Sequence, residues 1–332
     1  MPKISVVMPV YNGEKYIKEA IDSILSQTFP DFEFIIINDC STDNTESIIK
    51  SYNDSRIRYI KNEKNLGVAE SLNKGLDVAK GEYITRMDAD DISLPERFEK
   101  QISFMDRHKN IAVSGCAIER FGAIGGKAYN EYSKEKIRIG FLFRSCIFHP
   151  TVMMRRSVME IENYRYDVHF DKVEDYELWT RILPKYDICS IKSVLLKYRV
   201  HSGQVTQNYS QMHKKLLLEL KKKFLLYIGI DVLTDKEIRA FNDYCLEEID
   251  YNEQAKDLII SLKKIVLANN KARFFSEKNL RKSFAKIVLI AARMQDIYNK
   301  KDLIKMSGLA TKFDIYKDEL KQFIKRLIRR DK

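Results

Sequence analysis

Strand-like runs and helical periods alternate along the first hundred residues, and this alternation limits the folds that the chain can adopt. Four short apolar runs stand at Ile4–Val10, 34–37, 57–60 and 83–87, and each is followed by apolar residues at helical spacing. The run at 34–37 is apolar throughout, which is typical of a strand buried on both faces of a parallel sheet. Alternating strands and helices indicate βαβ units. The sequence therefore predicts an α/β fold with a mostly parallel sheet flanked by helices.

The remaining chain continues this pattern less regularly and then becomes helical. The further predicted elements are a helix at 95–108, strands at 112–121, 149–154 and 194–198, and a helix that begins at Lys172. Residues 122–150 lose a clear period, as loops over a site often do. No proline follows Pro184, and apolar residues beyond it keep helical spacing. We therefore expect a helical appendage at the C-terminal end.

The positive charge of the chain is confined to its last third. Residues 1–204 hold 30 basic and 30 acidic side chains, whereas residues 205–332 hold 28 basic and 17 acidic ones, which accounts for the net charge of +11. A neutral N-terminal part and a basic C-terminal part indicate two regions with different partners. We predict one domain at 1–204 and a basic helical region at 205–332. The absence of net charge in residues 1–204 argues against a nucleic-acid-binding protein.

Composition excludes several other classes of protein. Apolar residues make up 45% of the chain and aromatic residues 11%, which is enough for a packed core. No stretch approaches 18 uninterrupted apolar residues, and no basic and apolar leader precedes the first strand, so we expect a cytoplasmic protein. The five cysteines are scattered and lack CxxC spacing, which argues against both a disulfide framework and a zinc site.

An acidic cluster follows the fourth apolar run. Asp88, Asp90 and Asp91 place three carboxylates within four residues. Carboxylates this close raise one another's pKa, so they persist as ions mainly where a cation neutralises them. Oxygen ligands suit Mg²⁺ or Mn²⁺, which proteins often hold together with a substrate's phosphates. The cluster favours a metal–diphosphate site, while the same stretch with Ser93 and Pro95 also resembles the N-terminal cap of a helix.

Polar residues follow three of the predicted strands at the point where each strand ends. These residues are Tyr11 with Asn12, then Asp39, then the cluster at 88–91. Ligands of open α/β sheets bind beyond the carboxyl ends of the strands, so we expect the three groups to converge on one edge. Neither a G-x-G-x-x-G nor a G-x-x-x-x-G-K-[ST] sequence is present to cradle phosphates. The metal would therefore have to supply the positive charge.

Five segments together resemble a known family. In order and spacing they are similar to the inverting family 2 glycosyltransferases of the GT-A fold, and they are Ser5 to Asn12, Asn38 to Asp43, Asn65 to Gly67, Asp88 to Asp91, and Glu174 to Trp179. The resemblance covers about residues 1–203. It implies a GT-A, Rossmann-like sheet and transfer of a sugar from a nucleotide-sugar donor. Cys40 departs from the family pattern, which often has glycine there.

The resemblance also implies which residues bind the nucleotide. Pro9, Tyr11 and Asn12 would line it, with the ring of Tyr11 packing on uracil. Asp39 would accept a hydrogen bond from the N–H of uracil. The same residues allow a simpler interpretation in which Tyr11 is a turn residue and Asp39 caps a helix.

The resemblance implies further donor-site residues, which lie in less specific motifs. Asn65 and Asn73 fall in a segment that often touches the base or the ribose, although a plain turn and a helix-surface residue fit them equally. Asp88 matches the residue that reaches the ribose or the metal, and Asp90 matches the direct metal ligand. Asp91 is counted with them in the donor site.

The resemblance places the catalytic acids at the start of the helix that follows Lys172. Glu174 and Asp175 match the family's acidic pair, whose second member is the general base. His201 stands where some relatives place a histidine on the metal or the diphosphate, and a structural loop histidine is the alternative. For His149 and Trp179 a structural role is favoured over contact with the donor sugar or the acceptor.

These expectations define one expected enzymatic function and two alternative functions. The expected reaction is the metal-dependent, inverting transfer of a hexose or N-acetylhexosamine from a UDP-sugar to a saccharide acceptor, with Mn²⁺ or Mg²⁺ as cofactor. A nucleotidyltransferase would share the sheet but should carry a Gly-rich basic loop after the first strand. A non-catalytic nucleotide-sugar binder would not need the pair Glu174 and Asp175.

A basic tail would suit an enzyme whose acceptor is carried on a lipid. Resemblance to cell-surface polysaccharide enzymes implies a lipid-linked acceptor. The run from Lys325 to Arg330 combines basic and apolar residues, and such runs favour reversible attachment to an anionic leaflet. The alternative is a helical bundle with an ordinary solvated face, which we favour for residues 205–310.

Overall fold

The computed structural model describes residues 1–201, 211–294 and 300–309. Its contacts divide the chain into two compact units, Met1–Leu216 and Leu217–Lys332. The boundary falls inside a helix, Gln211–Tyr227, and lies twelve residues beyond the boundary predicted at 204. The basic run from Lys325 to Arg330 lies outside the described residues.

The first unit is built on one mixed sheet. Its strands among the described residues are β1 Ile4–Val10, β2 Phe32–Asn38, β3 Ile57–Lys61, β4 Tyr83–Arg86, β5 Ile92–Ser93, β6 Ile111–Gly122, β7 Gly126–Ala128, β8 Met153–Arg155 and β9 Asp187–Val200. Their order is β3-β2-β1-β4-β8-β6-β9-β5, and β7 pairs with β6. The strands β3, β2, β1 and β4 are parallel, as the alternating pattern predicts. Antiparallel pairing of β8 with β4 and β6 makes the whole sheet mixed.

Helices cover this sheet as the sequence predicts. In the first unit they are α1 Ile17–Leu25, α2 Thr45–Lys50, α3 Val68–Val78, α4 Arg97–Arg107, α5 Lys134–Gly140, α6 Arg156–Ile161 and α7 Glu174–Ile182. The apolar stripe of α1 is buried in the same core as β1 and β2, and each fully buried isoleucine of this kind contributes about 1.5–3 kcal/mol. Helix α3 approaches β1 so closely that a Cβ at Gly75 would lie 2.3 Å from a methyl carbon of Val7.

The parallel half of the sheet brings the ends of three strands to one edge. Val10 at the end of β1 pairs with Asn38 at the end of β2, and Val7 pairs with Arg86 at the end of β4. Every residue of β1 and β4 is buried. The polar residues that follow these strands therefore emerge at one edge of a rigid layer, as the sequence predicts.

One predicted strand is wrong in part. Residues 149–154 were expected to be extended, but His149–Thr151 form a turn of 3₁₀ helix and only Met153–Arg155 join the sheet. Pro150 has no N–H to donate to a sheet and its fixed φ suits the first turn of a helix. The N–H of Thr151 donates to the carbonyl of Phe148 at 2.9 Å, which closes the turn.

The described part of the second unit is helical, as predicted. Its helices, counting the one that contains the boundary, are α8 Gln211–Tyr227, α9 Asp235–Cys245, α10 Tyr251–Ala272, α11 Glu277–Met294 and α12 Lys300–Ser307. Phe284, Ile287, Val288 and Ala291 form the predicted buried stripe of α11. Among the described residues, no helix combines the length and the apolar character needed to cross a membrane.

Candidate functional site

Hydrogen bonds join the loop after β1 to the loop after β2. The backbone N–H of Asn12 donates to the hydroxyl of Ser41 at 2.9 Å, and Oδ1 of Asn12 accepts from the N–H of Thr42 at 2.9 Å. The N–H of Gly13 donates to Oγ1 of Thr45 at 2.8 Å. Asn12 has a φ of 51°, a left-handed conformation that asparagine adopts more readily than most residues. Its side chain therefore fixes the shape of the first loop.

The two other residues predicted to line the nucleotide differ in exposure. The side chain of Tyr11 is 51% exposed at the edge of the sheet, so its ring could stack on a planar ligand. Pro9 is buried within β1, where it pairs with Ile37. Pro9 therefore lies in the wall of the site.

Asp39 organises the loop in front of α3. Its buried carboxylate accepts hydrogen bonds from the side-chain amide of Asn62 at 2.7 Å and from the N–H groups of Leu66 and Gly67, both at 2.9 Å. A carboxylate offers about four acceptor positions, so about one remains for a ligand donor. Its partners precede α3, so Asp39 does not cap α2, which follows it in sequence. Asn65 is exposed and accepts from the N–H of Gly67 at 3.2 Å.

Asn73 clamps a distant backbone segment. Its side-chain N–H₂ donates to the carbonyl of Tyr166 at 2.9 Å, and its Oδ1 accepts from the N–H of Tyr166 at 2.8 Å. Both ends of the amide are thus engaged by one residue. This arrangement favours the structural interpretation of Asn73 over its predicted contact with the nucleotide.

The three acidic residues form one cluster between β4 and β5. One carboxylate oxygen from each of Asp88, Asp90 and Asp91 can be chosen so that all three lie within 4.8 Å of one another. Helix α4 begins only at Arg97, after Glu96, and the side chain that accepts from an N–H of its first turn is Gln27, at 3.2 Å from the nitrogen of Phe98. The cluster therefore does not serve as the helix cap that the sequence also allowed.

A buried arginine binds the first acid of the cluster. Nη1 and Nη2 of Arg86 lie 2.6 and 2.5 Å from the two carboxylate oxygens of Asp88, in a bidentate ion pair. Arg86 is 6% exposed and its Nε has no hydrogen-bond partner. Burial raises the pKa of Asp88, and the neighbouring Arg86 opposes that rise.

Asp91 is the most deeply buried acid of the cluster. Its Oδ1 accepts from the backbone N–H of Arg199 at 2.9 Å, whereas its buried Oδ2 has no hydrogen-bond partner. Burial raises the pKa of Asp91 well above its usual value, and the charges of Asp88 and Asp90 raise it further. An orphaned carboxylate oxygen of this kind is a position that a cation could occupy.

Asp90 faces the end of β9. Nε2 of His201 lies 3.0 Å from Oδ2 of Asp90, and Nε of Arg199 donates to the carbonyl of Asp90 at 2.8 Å. The ring of Tyr16 supports this contact, because it lies 5.2 Å from the ring of His201 and 4.3 Å beneath the guanidinium of Arg199. The structure thus brings His201 to the acidic cluster, where the sequence placed it.

These residues fit a divalent cation. Oδ2 of Asp90 and Nε2 of His201, which lie 3.0 Å apart, are both atom types that could bind such a cation. The unpartnered Oδ2 of Asp91 adds an oxygen ligand of the type that Mg²⁺ and Mn²⁺ prefer. Metal binding and the identity of the metal both stay predictions.

A second buried arginine lies beneath the cluster. Arg97 of α4 is fully buried and donates to Oγ1 of Thr85 and to the carbonyl of Arg86, both at 2.8 Å. Burial lowers the pKa of Arg97 to about 10, so it stays charged at neutral pH. The two arginines place positive charge on both sides of β4, next to the acids.

Glu174 and Asp175 begin α7, as predicted. With Ser145, His149 and Tyr166 they form a second group of contacting residues, which we name the base pocket. Glu174 is 7% exposed, and burial together with the charge of Asp175 raises its pKa to about 7. Its Oε2 is buried without a hydrogen-bond partner. Burial also raises the pKa of Asp175, whose Oδ2 accepts from the hydroxyl of Ser145 at 3.4 Å. Asp175 is the more exposed of the two, so it is better placed to meet a substrate.

The histidine and the tryptophan of the sequence analysis line the same pocket. Nε2 of His149 contacts the hydroxyl of Tyr166 at 2.9 Å, and Nδ1 of His149 lies 4.0 Å from Glu174. Burial and then the charge of Arg86 hold the pKa of His149 well below its usual value, so its ring is neutral at pH 7. Trp179 is fully buried edge-on to His149. Trp179 thus lies in the core, as the favoured interpretation requires, and His149 lies between Tyr166 and Glu174.

Sequence reasoning missed four residues of the two pockets. They are Arg86, Arg97, Ser145 and Tyr166. Only Arg86 carries a sequence signal, because it is a charged residue inside a run that otherwise reads as a buried strand, and a buried charge requires a partner.

Comparison with known proteins gives a consistent family. The profile of glycosyl transferase family 2 matches residues 5–161. An uncharacterised glycosyltransferase of Haemophilus influenzae is 31% identical over 278 residues, which cover 79% of this chain and 84% of the relative. The Escherichia coli protein WfaP, a UDP-Glc:alpha-D-GlcNAc-diphosphoundecaprenol beta-1,3-glucosyltransferase, is 36% identical over 211 residues, or 63% of this chain and 81% of WfaP.

A solved structure supports the fold. Residues 1–349 of TarS from S. aureus, in complex with UDP-GlcNAc, match with a TM-score of 0.58 and 21% identity over 80% of this chain and 81% of that one. At this level of identity the match shows a shared GT-A fold. Together with the two loops, the acidic cluster and the pair at the start of α7, these matches answer the question of family: the chain belongs to glycosyl transferase family 2.

Proposed function

We propose that the protein transfers a hexose or N-acetylhexosamine from a UDP-sugar to a saccharide acceptor, with inversion at the anomeric carbon and with a divalent metal bound. The observation that supports this most directly is Arg86, whose guanidinium binds Asp88 of the acidic cluster and whose charge also acts on Glu174 and Asp175. The charge of Arg86 thus relates the carboxylates proposed for the donor site to those proposed for the base. WfaP uses UDP-Glc by its name, and TarS was solved with UDP-GlcNAc.

The donor would bind at the edge formed by the first two loops. Tyr11 offers an exposed ring for the uracil base, and Asp39 has about one free acceptor position for the N–H of uracil. Asp90, Asp88 and His201 would hold the metal, with Asp91 close by. The bound Mn²⁺ or Mg²⁺ would neutralise charge on the departing diphosphate.

Asp175 would act as the general base. It takes the proton of the acceptor hydroxyl as that oxygen bonds to the anomeric carbon from the face opposite the diphosphate. The bond from the anomeric carbon to the diphosphate oxygen breaks at the same time, and UDP leaves. Burial raises the pKa of Asp175, which makes its carboxylate a better proton acceptor. Glu174 would bind a sugar hydroxyl or orient the loop.

The acceptor would be lipid-linked. WfaP acts, by its name, on a sugar carried on diphosphoundecaprenol. A protein that uses such an acceptor would work at the cytoplasmic face of the membrane, which would suit the basic C-terminal region at 205–332. Anionic lipid is therefore part of the proposal.

Hydrolysis of a panel of nucleotide sugars tests the proposed donor. UDP-glucose, UDP-galactose, their N-acetylhexosamine analogues and GDP-mannose are compared by the nucleotide released, with Mn²⁺ and with excess chelator. We expect slow hydrolysis of at least one UDP-sugar that requires the metal and is lost in Asp90→Ala. Preference for GDP-mannose, or full hydrolysis in chelator, would contradict the proposal.

A further inference from the structure

We propose that Arg86 is a positioning residue that couples the acidic cluster to the base pocket, by orienting Asp88 and by supplying the positive charge next to Glu174 and Asp175. This inference rests on the proposed function, because it assigns a role within the same two sites. It concerns a residue that touches neither the donor nor the acceptor in that proposal.

The first observation is the geometry of the ion pair. Arg86 ends β4 and is 6% exposed, and both of its terminal nitrogens bind Asp88, at 2.5 and 2.6 Å. Because the pair is bidentate, it fixes the plane of the carboxylate as well as its distance. Each oxygen of Asp88 still keeps one acceptor position that faces away from Arg86. A metal or ribose that meets Asp88 would therefore meet a carboxylate whose orientation Arg86 has set.

The second observation is a pair of complementary unpartnered atoms. Nε of Arg86 is a buried donor without an acceptor, and Oε2 of Glu174 is a buried acceptor without a donor. Buried polar groups of this kind are rare and costly. A short backbone path joins the two residues: the N–H of Arg86 donates to the carbonyl of Val152 at 3.2 Å, and the N–H of Val152 donates to the carbonyl of His149 at 3.3 Å. Nδ1 of His149 in turn lies 4.0 Å from Oε1 of Glu174. The guanidinium thus has a hydrogen-bonding group left to offer on the side away from Asp88.

The third observation is the set of charges around Asp175. On its own helix it has Glu174, and the segment before α7 contributes the buried Tyr166. The exposed Asp171 of that segment acts on Glu174. The loop after α5 contributes the hydroxyl of Ser145, and the turn after it contributes neutral His149. Within this set, which is drawn from the described residues, Arg86 is the positive charge that opposes the rise in the pKa of both acids.

A purely structural arginine and a coupling arginine predict different results. If Arg86 only held β4 in place, replacing it would lower the stability of the fold, and the acidic limb of the pH profile of kcat would keep its position. Loss of a coupling charge raises the pKa of Asp175, so the acidic limb of the pH profile of kcat moves to higher pH. Loss of the bidentate contact weakens binding of the metal and UDP together, without any need for turnover.

Two variants separate these effects. Arg86→Met removes charge and contact, and we expect the Kd for UDP in Mn²⁺, measured by calorimetry, to rise at least about tenfold and the acidic limb to move up by about 1 pH unit. Arg86→Lys keeps the charge and loses the bidentate contact. It should show the weaker UDP binding with an acidic limb close to that of the wild type. Arg58→Met, on the exposed side of β3, serves as a matched control and should change neither quantity.

The outcomes distinguish this inference from the proposed function. A wild-type protein that binds no UDP in Mn²⁺ overturns both. If the wild type binds UDP and Arg86→Lys binds it equally well, the positioning role is overturned while the proposed function stands. An acidic limb that stays in place in Arg86→Met overturns the coupling role. If Arg86→Met does not fold, Arg86→Gln, which also removes the charge but keeps a polar side chain, supplies the pH profile in its place, and Arg86→Lys supplies the test of the bidentate contact.

Discussion

Nε2 of His201 lies 3.0 Å from Oδ2 of Asp90, although 111 positions of sequence separate the two residues. The contact exists because β5, directly after the acidic cluster, pairs antiparallel with β9, whose end leads to His201. The register joins Ile92 to Lys197 and so fixes where the end of β9 falls. The histidine is therefore placed by the sheet and is not free to drift with a loop.

This arrangement predicts how metal and nucleotide stabilise the fold. A ligand at a hundred times its Kd stabilises the folded state by about 2.7 kcal/mol, so UDP with Mn²⁺ should raise the melting temperature. Asp90→Ala should abolish the shift and His201→Ala should reduce it. His108→Ala removes an exposed histidine at the end of α4 and should leave the shift unchanged. Equal stabilisation by UDP in excess chelator would contradict the metal's role.

The clamp of Asn73 on Tyr166 predicts a loss of stability with little loss of nucleotide binding. Asn73→Ala removes two hydrogen bonds and leaves the N–H and carbonyl of Tyr166 without partners. We expect the free energy of unfolding to fall by about 1–3 kcal/mol, measured by denaturant unfolding. The exposed Asn65→Ala should cost much less. If Asn73→Ala had normal stability but no longer bound UDP, the result would favour the predicted contact of Asn73 with the nucleotide over its structural role.

The parallel half of the sheet could be predicted because its signals are local. The apolar run at 34–37 is long enough to indicate a strand buried on both faces, and the polar residues after it mark the carboxyl edge. The pairing of β8 with β4, and of β6 with β9, depends on contacts between distant segments. No local period encodes which strands pair with each other, so the mixed half of the sheet could not be predicted from the sequence.

The site could be predicted only as far as its residues carry recognisable motifs. The motifs predicted that Asp90 and His201 belong to one site, and the two side chains lie 3.0 Å apart. The buried Arg97 was missed because a basic residue in an amphipathic helix normally faces solvent. Cys40, by contrast, stands out in the sequence as a departure from the family pattern, and the structure explains that pattern. Its φ of 62° explains why a glycine suits this position, since glycine adopts that conformation without strain.

The burial of Glu174 predicts a pH-dependent stability. Its pKa is about 7 in the folded chain and 4.5 without burial, so the folded state holds the proton more tightly than the unfolded one. Stability is therefore fully present below about pH 4.5 and falls as the pH rises towards 7. Glu174→Gln removes this loss. Relative to the wild type it should gain about 1–3 kcal/mol between pH 5 and pH 8, measured by unfolding at both values; an equal difference at the two values would contradict the assignment.

The basic run from Lys325 to Arg330 predicts binding to anionic membranes. Each Lys or Arg near such a surface gains about 1 kcal/mol, so the chain should sediment with vesicles that contain anionic lipid and not with neutral ones. Salt should weaken the binding. Reversing the charges of Lys325, Arg326, Arg329 and Arg330 should release the protein. Reversing four exposed lysines of the first unit, Lys64, Lys100, Lys109 and Lys127, should not; equal sedimentation with both lipids would exclude this surface.

Replacement of Asp175, the proposed general base, makes the sharpest prediction. Adjacent residues at the start of α7 point about 100° apart, and the structure buries Glu174 more deeply than Asp175, so Asp175 is the acid that can meet an acceptor hydroxyl. A positioned base contributes about 10² to 10⁴-fold to the rate. Asp175→Asn keeps the shape and removes the basicity.

Asp175→Asn should therefore lower kcat for transfer at least about a hundredfold while the Kd for the UDP-sugar changes little, because the base acts on the acceptor and not on the nucleotide. Asp171→Asn, which removes an exposed negative charge four residues earlier, is the matched control and should keep most of its turnover. If Asp175→Asn kept normal turnover, another group would have to take the proton. If it lost donor binding instead, Asp175 would belong to the donor site, and Glu174, with its pKa of about 7, would become the candidate base.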